Sequence, residues 1–83
     1  MMSAAAPEDR TRFLRKRSFS IAGHRTSVAL EAEFWTVLEK EARRSGRTLS
    51  GLVAQVDAAR DNRPLASALR VTALAAVART TNT

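Results

Sequence analysis

The stretch from Arg25 to Val56, RTSVALEAEFWTVLEKEARRSGRTLSGLVAQV, decides the fold of this chain. Its first residues alternate between an apolar or β-branched side chain and a polar or small one, which is typical of a half-buried strand. The apolar face carries Thr26, Val28 and Leu30, and the other face carries Arg25, Ser27 and Ala29. This alternation predicts one strand over about residues 24–30.

A helical spacing of apolar residues begins after Glu31. Apolar side chains recur at i, i+3, i+4 and i+8, which predicts an amphipathic helix over about residues 32–44. The stripe consists of Phe34, Val37, Leu38 and Ala42, with Trp35 beside them. Gly46 is expected to end this helix, because glycine accepts the left-handed conformation after a helix without steric cost.

Thr48 is expected to begin a second helix, because its hydroxyl can accept a hydrogen bond from a free N–H group of the first turn. Apolar residues then repeat at i, i+3, i+4 and i+7, which predicts a helix over about residues 48–59. They are Leu49, Leu52, Val53 and Val56. The free N–H groups and the positive dipole end also suit a phosphate oxygen. We therefore expect phosphate contacts at this helix start from Arg47, Thr48, Leu49 and Ser50.

The predicted strand has no partner in its own chain, so a row of backbone donors and acceptors would stay unpaired. Two short helices cannot cover it and still bury their own stripes. We therefore expect an intertwined homodimer with an intermolecular two-stranded antiparallel ribbon, mainly α with one short strand per chain. Folding and dimerisation would then be one event. The expected dimer core consists of Thr26, Val28, Leu30, Phe34, Trp35, Leu38, Leu52, Val53 and Val56.

Residues 1–17 are mostly small, polar or charged, which predicts a flexible basic arm before a domain of residues 18–79. Arg15, Lys16 and Arg17 in this arm, and His24 beside the strand, are candidates for phosphate contacts. A solubilising tail and a surface histidine in a bend are the alternatives.

The segment Ser18–Ile21 also alternates, with apolar Phe19 and Ile21, but in the opposite phase to the strand that follows. Gly23 is expected to shift the phase through a bulge or tight bend, since it can take positive φ. The sequence leaves open whether this segment lengthens the ribbon, folds over it or packs on a helix.

A third helix is predicted over about residues 64–78, with Pro64 near its start and residues 80–83 frayed. It is apolar nearly all round, so it is expected to be largely buried. The dimer interface or the outer side of the helix bundle would bury it, and a groove for another protein is the alternative.

The composition favours a polyanionic partner and argues against catalysis. Fourteen Lys and Arg against eight Asp and Glu give a charge of +6 per chain, twice that in a dimer. The absence of cysteine excludes disulfides and thiolate metal sites, and a single histidine predicts neither a metal nor a cofactor. Without a phosphate loop or a carboxylate pair expected to share a pocket, we predict no enzyme.

Neither a secretory signal nor a membrane-spanning segment is predicted. Residues 1–12 contain acidic and basic residues without an apolar core, and the apolar run of residues 71–78 is far too short to span a bilayer. We therefore expect a cytoplasmic protein without a membrane partner.

Several short motifs carry a resemblance to a known family. They are the basic and polar strand ending in Leu30, Leu38-Glu39-Lys40 and Ala42-Arg43 in the first helix, the Gly46 turn, and Thr48-Leu49-Ser50. Residues 24–57 thereby resemble the ribbon-helix-helix family of DNA-binding proteins, the group of the Arc, MetJ and CopG repressors. The run KRSFSIAGHRTSV, residues 16–28, is also similar to a small bacterial subgroup with an additional C-terminal helix.

The resemblance implies a sequence-specific transcriptional regulator, such as a repressor, that binds double-stranded DNA. A homodimer would insert its ribbon into the major groove of a pseudo-palindromic operator. The base-reading residues would be Arg25, Ser27 and Ala29, although Ala29 offers only a methyl where family members often carry a polar residue.

Two other functions remain to be weighed against this one. Some ribbon-helix-helix proteins are antitoxins that also bind a toxin, typically through a long flexible C-terminal segment. Here a short apolar helix follows instead, which favours the regulator and leaves a toxin or other protein partner as the alternative. A membrane-surface binder is disfavoured, because the basic residues cluster on the arm and strand instead of one helix face.

Overall fold

The computed structural model describes residues 13–81, which form a two-stranded antiparallel sheet followed by three helices. The strands are β1 (Leu14–Ile21) and β2 (His24–Glu31), and the helices are α1 (Ala32–Arg44), α2 (Leu49–Ala59) and α3 (Leu65–Thr81). The helices lie close to the ranges given by the apolar spacing, whereas β1 was not predicted.

A two-residue turn, Ala22–Gly23, joins the two strands into a hairpin. Both residues have positive φ, 52° and 83°. Positive φ at both central positions is typical of the type I′ turn, whose twist matches that of the flanking strands. The expected tight bend at Gly23 is therefore confirmed. The turn also explains the change of phase, because it sets odd-numbered residues of β1 opposite even-numbered residues of β2, as in the pair Phe19 and Thr26.

The prediction of a single strand without a partner in its own chain is wrong. The backbone of β2 pairs along its whole length with β1, from Leu14 opposite Glu31 to Ile21 opposite His24. The prediction of a flexible arm is wrong for residues 14–17, which are part of the sheet. Residues 1–12 of that arm lie outside the described residues.

The ends of α1 and α2 follow from local chemistry. Glu31 is the N-cap of α1 and makes no side-chain cap bond. The Thr48 hydroxyl accepts a hydrogen bond from the Gly51 N–H at 3.0 Å, which confirms the predicted cap of α2. Gly46 takes a φ of 74° in the turn between the two helices. Four residues join α1 to α2, and the Gly46 turn and the Thr48 cap define the end of α1 and the start of α2.

One face of the hairpin packs on the helices to form the core. Both strands contribute, since Phe19 and Ile21 of β1 are buried together with Val28 and Leu30 of β2. Most residues expected in a dimer core are already buried in the single chain: Val28, Leu30, Trp35, Leu38, Leu52 and Val53. Thr26, Phe34 and Val56 are half-buried. The burial of this set thus requires no second copy.

The helix α3 lies against α1, α2 and β2, and buries mainly small residues. Leu69 is fully buried among Ala68, Ala73 and Ala76. On its outer side, Val71, Leu74 and Val77 are 48%, 67% and 46% exposed in the single chain, so burial of this side by a second chain stays a prediction. Alanines pack closely on one side, so the larger apolar residues are left outside. The helix also continues to Thr81, through part of the tail expected to fray.

Candidate nucleic-acid interface

The sheet face that points away from the helices carries the most distinctive set of polar side chains. Because directly opposed residues of an antiparallel pair share a face, the register defines this outer face. Its central pairs are Lys16 with Ala29, Ser18 with Ser27, and Ser20 with Arg25. All of these side chains are exposed except the half-buried Ala29. We call these six residues the outer sheet face.

A pair of serines stands at the centre of the outer sheet face. The hydroxyl oxygens of Ser18 and Ser27 lie 2.9 Å apart, so one donates a hydrogen bond to the other. Lys16 lies on one side of this pair on β1, and Arg25 lies on the other side on β2. The face therefore presents two cations on opposite strands, with hydroxyl groups between them.

The two cations of the outer sheet face have no carboxylate partner within residues 13–81. Three glutamates are paired elsewhere: Glu39 with Arg17, Glu41 with Arg44 and Arg79, and Glu31 with Arg70. A hydrogen bond from its own backbone N–H lowers the pKa of the Glu31 carboxyl below its usual value, and Arg70 adds to this effect. These three carboxylates are thus held in ion pairs with other arginines, while Lys16 and Arg25 are not paired with a carboxylate of the described residues.

The three basic residues predicted for the end of the arm, Arg15, Lys16 and Arg17, lie on two sides of the hairpin. Lys16 lies on the outer sheet face, whereas Arg15 and Arg17 share the phase of the core residues. Arg17 donates to Glu39 at 2.6 Å, and its guanidinium carbon lies 5.2 Å from the centre of the Trp35 ring. The structure thus brings Lys16, but neither arginine, together with Arg25.

The start of α2 forms a second polar patch. Arg47, Thr48 and Ser50 are exposed and Leu49 is half-buried. The Arg47 guanidinium donates to the side-chain oxygen of Gln55. First-turn N–H groups of a helix have no carbonyl partner within that helix, so this end can donate to an anion. His24 is exposed beside the hairpin turn.

Sequence reasoning missed Ser18 and Ser20 as members of the outer sheet face. Their signal was the alternation of Ser18 and Ser20 with Phe19 and Ile21, directly before a glycine that permits a tight turn. Reading that alternation as the first strand of a hairpin would have placed both serines opposite Ser27 and Arg25.

No helix in the described part of the chain is long and apolar enough to cross a membrane. A family model described as a ribbon-helix-helix domain matches residues 14–77. Neither the comparison with curated proteins nor that with solved structures finds a match. Ribbon-helix-helix domains are in general DNA-binding regulators and are typically non-enzymatic. Because the match begins at the first residue of β1 and reaches into α3, covering most of the chain, the chain belongs to the ribbon-helix-helix domain family.

Proposed function

We propose that the protein is a sequence-specific DNA-binding transcriptional regulator that acts as a homodimer on a pseudo-palindromic operator. The observation that carries this proposal is the outer sheet face, a two-stranded surface with two cations that no carboxylate of residues 13–81 pairs. A two-stranded β-ribbon fits the major groove of B-form DNA, where base edges expose a distinct pattern of donors, acceptors and methyl groups.

The β2 residues of this face suit direct contact with base edges. Arg25 can donate two hydrogen bonds to the O6 and N7 atoms of a guanine, and the Ser27 hydroxyl can donate to or accept from a neighbouring base. Ala29 has no polar group, and its methyl suits contact with the methyl group of a thymine. These three residues would supply sequence preference, whereas contacts to phosphate would not.

Phosphate contacts would fix the position of the sheet in the groove. The start of α2 supports this role, because the Thr48 and Ser50 hydroxyls and the Arg47 guanidinium are exposed beside first-turn N–H groups, of which the Gly51 N–H is already bound by the Thr48 hydroxyl. Leu49 would contribute its backbone N–H. On the hairpin, His24, Arg15 and Arg17 would add cationic or polar contacts at the groove edge.

Selection of bound sequences from random duplex DNA, with the purified full chain, tests the proposal. An enriched inverted repeat is the expected result, because two copies related by a twofold axis read the two half-sites in opposite directions. Binding to the enriched sequence should weaken steeply between about 50 and 200 mM salt, since phosphate contacts release counterions. Failure to enrich any sequence, or affinity that is insensitive to salt, would contradict the proposed function.

A further inference from the structure

We propose that the cleft between α2 and α3 binds a small amphipathic monocarboxylate, and that this ligand weakens DNA binding by occupying Arg47. The cleft has a volume of about 520 Å³. Small-molecule sites typically have volumes of about 300 to 1,000 Å³ and lie, among other places, between the helices of a bundle. The carboxylate site stands apart from the outer sheet face, and only its regulatory role rests on the proposed function.

Apolar side chains of both helices line the cleft. Leu52 of α2 and Ala68 of α3 are buried, so they lie at its base, whereas Val56 is half-buried and Val71 is 48% exposed. A short hydrocarbon chain bound here would cover the exposed parts of the two valines. Its burial would be favourable because apolar area of both ligand and protein is removed from water. The cleft therefore suits a ligand with an apolar body.

Two arginines bring positive charge to one end of the cleft. The Arg47 guanidinium donates to the side-chain oxygen of Gln55, so it reaches the second half of α2 although Arg47 precedes that helix. Gln55 lies only one helical turn, about 6 Å along the axis, before the last residue of α2, Ala59. Arg63 lines the same cleft from the loop that follows α2. Both guanidinium groups can thus contact one ligand group near this loop.

The charge of the cleft favours a ligand with a single negative charge. Three arginines line it, Arg47, Arg60 and Arg63, against two carboxylates, Glu41 and Asp61. Glu41 is already bound by two arginines that do not line the cleft. Neither Arg47 nor Arg63 forms an ion pair with a carboxylate of residues 13–81. Because the planar guanidinium group matches a carboxylate in geometry as well as charge, we infer a carboxylate head group.

A ligand in the cleft would act on DNA binding through Arg47. The proposed function assigns the Arg47 guanidinium to a phosphate group beside the start of α2. A carboxylate bound next to Gln55 would take donors of that same guanidinium, so the carboxylate and the phosphate would compete. Since coupling between two ligands is reciprocal, DNA should weaken carboxylate binding by the same factor as the carboxylate weakens DNA binding.

Titration calorimetry of the full chain with octanoate, in the absence of DNA, tests the site. Octanol has the same apolar chain without the charge, and acetate has the charge without the chain. Each should bind about tenfold more weakly than octanoate or weaker still, because each makes only part of the contacts. Equal affinity for octanol or acetate would overturn the proposal. So would the absence of octanoate binding, which is the result expected if a second chain covers the cleft.

Two pairs of variants test whether octanoate uses the cleft. Arg63→Met should weaken octanoate binding on the order of tenfold, whereas Arg43→Met, which removes an exposed arginine of α1 outside the cleft, should leave it unchanged. Val71→Thr replaces a methyl group of the cleft by a hydroxyl and should weaken binding about threefold. Val77→Thr is its control, because Val77 is similarly exposed, at 46%, and does not line the cleft. Equal losses within either pair would mean that octanoate binds elsewhere.

Operator binding with and without octanoate tests the regulatory role. Saturating octanoate should weaken binding of the parent to its selected operator on the order of tenfold and leave the affinity of Arg63→Met unchanged. An unchanged affinity of the octanoate-saturated parent would overturn the coupling. If the parent selects no operator, the proposed function and the regulatory role both fail, whereas the carboxylate site is decided by the titrations alone.

Discussion

Arg25 carries more hydrogen-bond donors than any other side chain of the outer sheet face, and it has no carboxylate partner among the described residues. Arg25→Ala should weaken operator binding by about 1 to 3 kcal/mol and relax the preference at one base pair per half-site. Arg43→Ala is the control, since it removes an exposed arginine from the last turn of α1. Competition between the operator and single-base variants measures both effects. Equal losses from the two substitutions would mean that Arg25 acts only through charge.

Ala22 lies in a backbone conformation that suits other residues better. Its φ of 52° falls in the left-handed region, which costs a non-glycine residue about 1 kcal/mol, whereas asparagine tolerates it in hairpin turns. Ala22→Asn should therefore raise the free energy of unfolding by up to about 1 kcal/mol. Ala58→Asn, the same change on the exposed side of α2, should lower it, because asparagine is a poorer helix former than alanine. Thermal unfolding of both variants checks the signs, and a less stable Ala22→Asn protein would contradict this account of the turn.

At the scale of the elements, one carboxylate joins α1 to α3. Glu41 accepts hydrogen bonds from Arg44 at 2.7 Å and from Arg79 at 2.8 Å. The bond from Arg44, and next the bond from Arg79, lowers the pKa of Glu41 from 4.5 to about 2. A carboxyl whose pKa is lower in the folded state stabilises that state above the unfolded pKa, and this contribution disappears as the pH falls through the folded value.

We therefore expect Glu41→Gln to lower the free energy of unfolding at pH 7 by on the order of 1 kcal/mol, a modest value because both arginines are half-exposed. The difference between variant and parent should shrink as the pH falls from about 4.5 to about 2. Arg79→Met keeps the bond from Arg44 and should remove only part of the effect. Denaturant unfolding across this pH range measures it, and a difference that is constant with pH would contradict the role of the ionised carboxylate.

The sequence predicted the helices well because their apolar residues recur at helical spacing within each segment. It missed β1 because Leu14–Arg17 has one apolar residue in four, and its position is fixed by distant partners such as the backbone of β2 and the indole of Trp35. Arg25 and Ser27 lie on the outer sheet face, as the alternation indicated. The positions of Ser18 and Ser20 on that face depend on the two-residue turn, and alanine at position 22 is not a residue type typical of such a turn. The composition predicted that α3 is a helix. It did not predict which side of α3 packs on the bundle, and Leu74 is exposed because the side with the alanines packs there.

At the scale of the whole molecule, the single chain buries its own core. Leu30, Leu38, Leu69 and Val53 are fully buried without a second copy, and β2 is paired with β1. One edge of β2 is thus paired within the chain, which favours folding of the single chain over the coupled folding and dimerisation predicted from the sequence. Without DNA, the melting temperature should stay constant over about a hundredfold range of protein concentration, because unimolecular unfolding does not depend on mass action. Calorimetry or circular dichroism measures it, and a melting temperature that rises with concentration would show that the fold needs a partner.

The hairpin also affects how mutation can change the outer sheet face. In a ribbon built of two identical strands, one codon change replaces two side chains in the same groove, so both contacts must remain acceptable at once. Ser18 and Ser27 are encoded separately, although they touch in the fold. Each can be replaced while the other is kept, so a single codon change alters one side chain at the centre of the outer sheet face and leaves its neighbour in place.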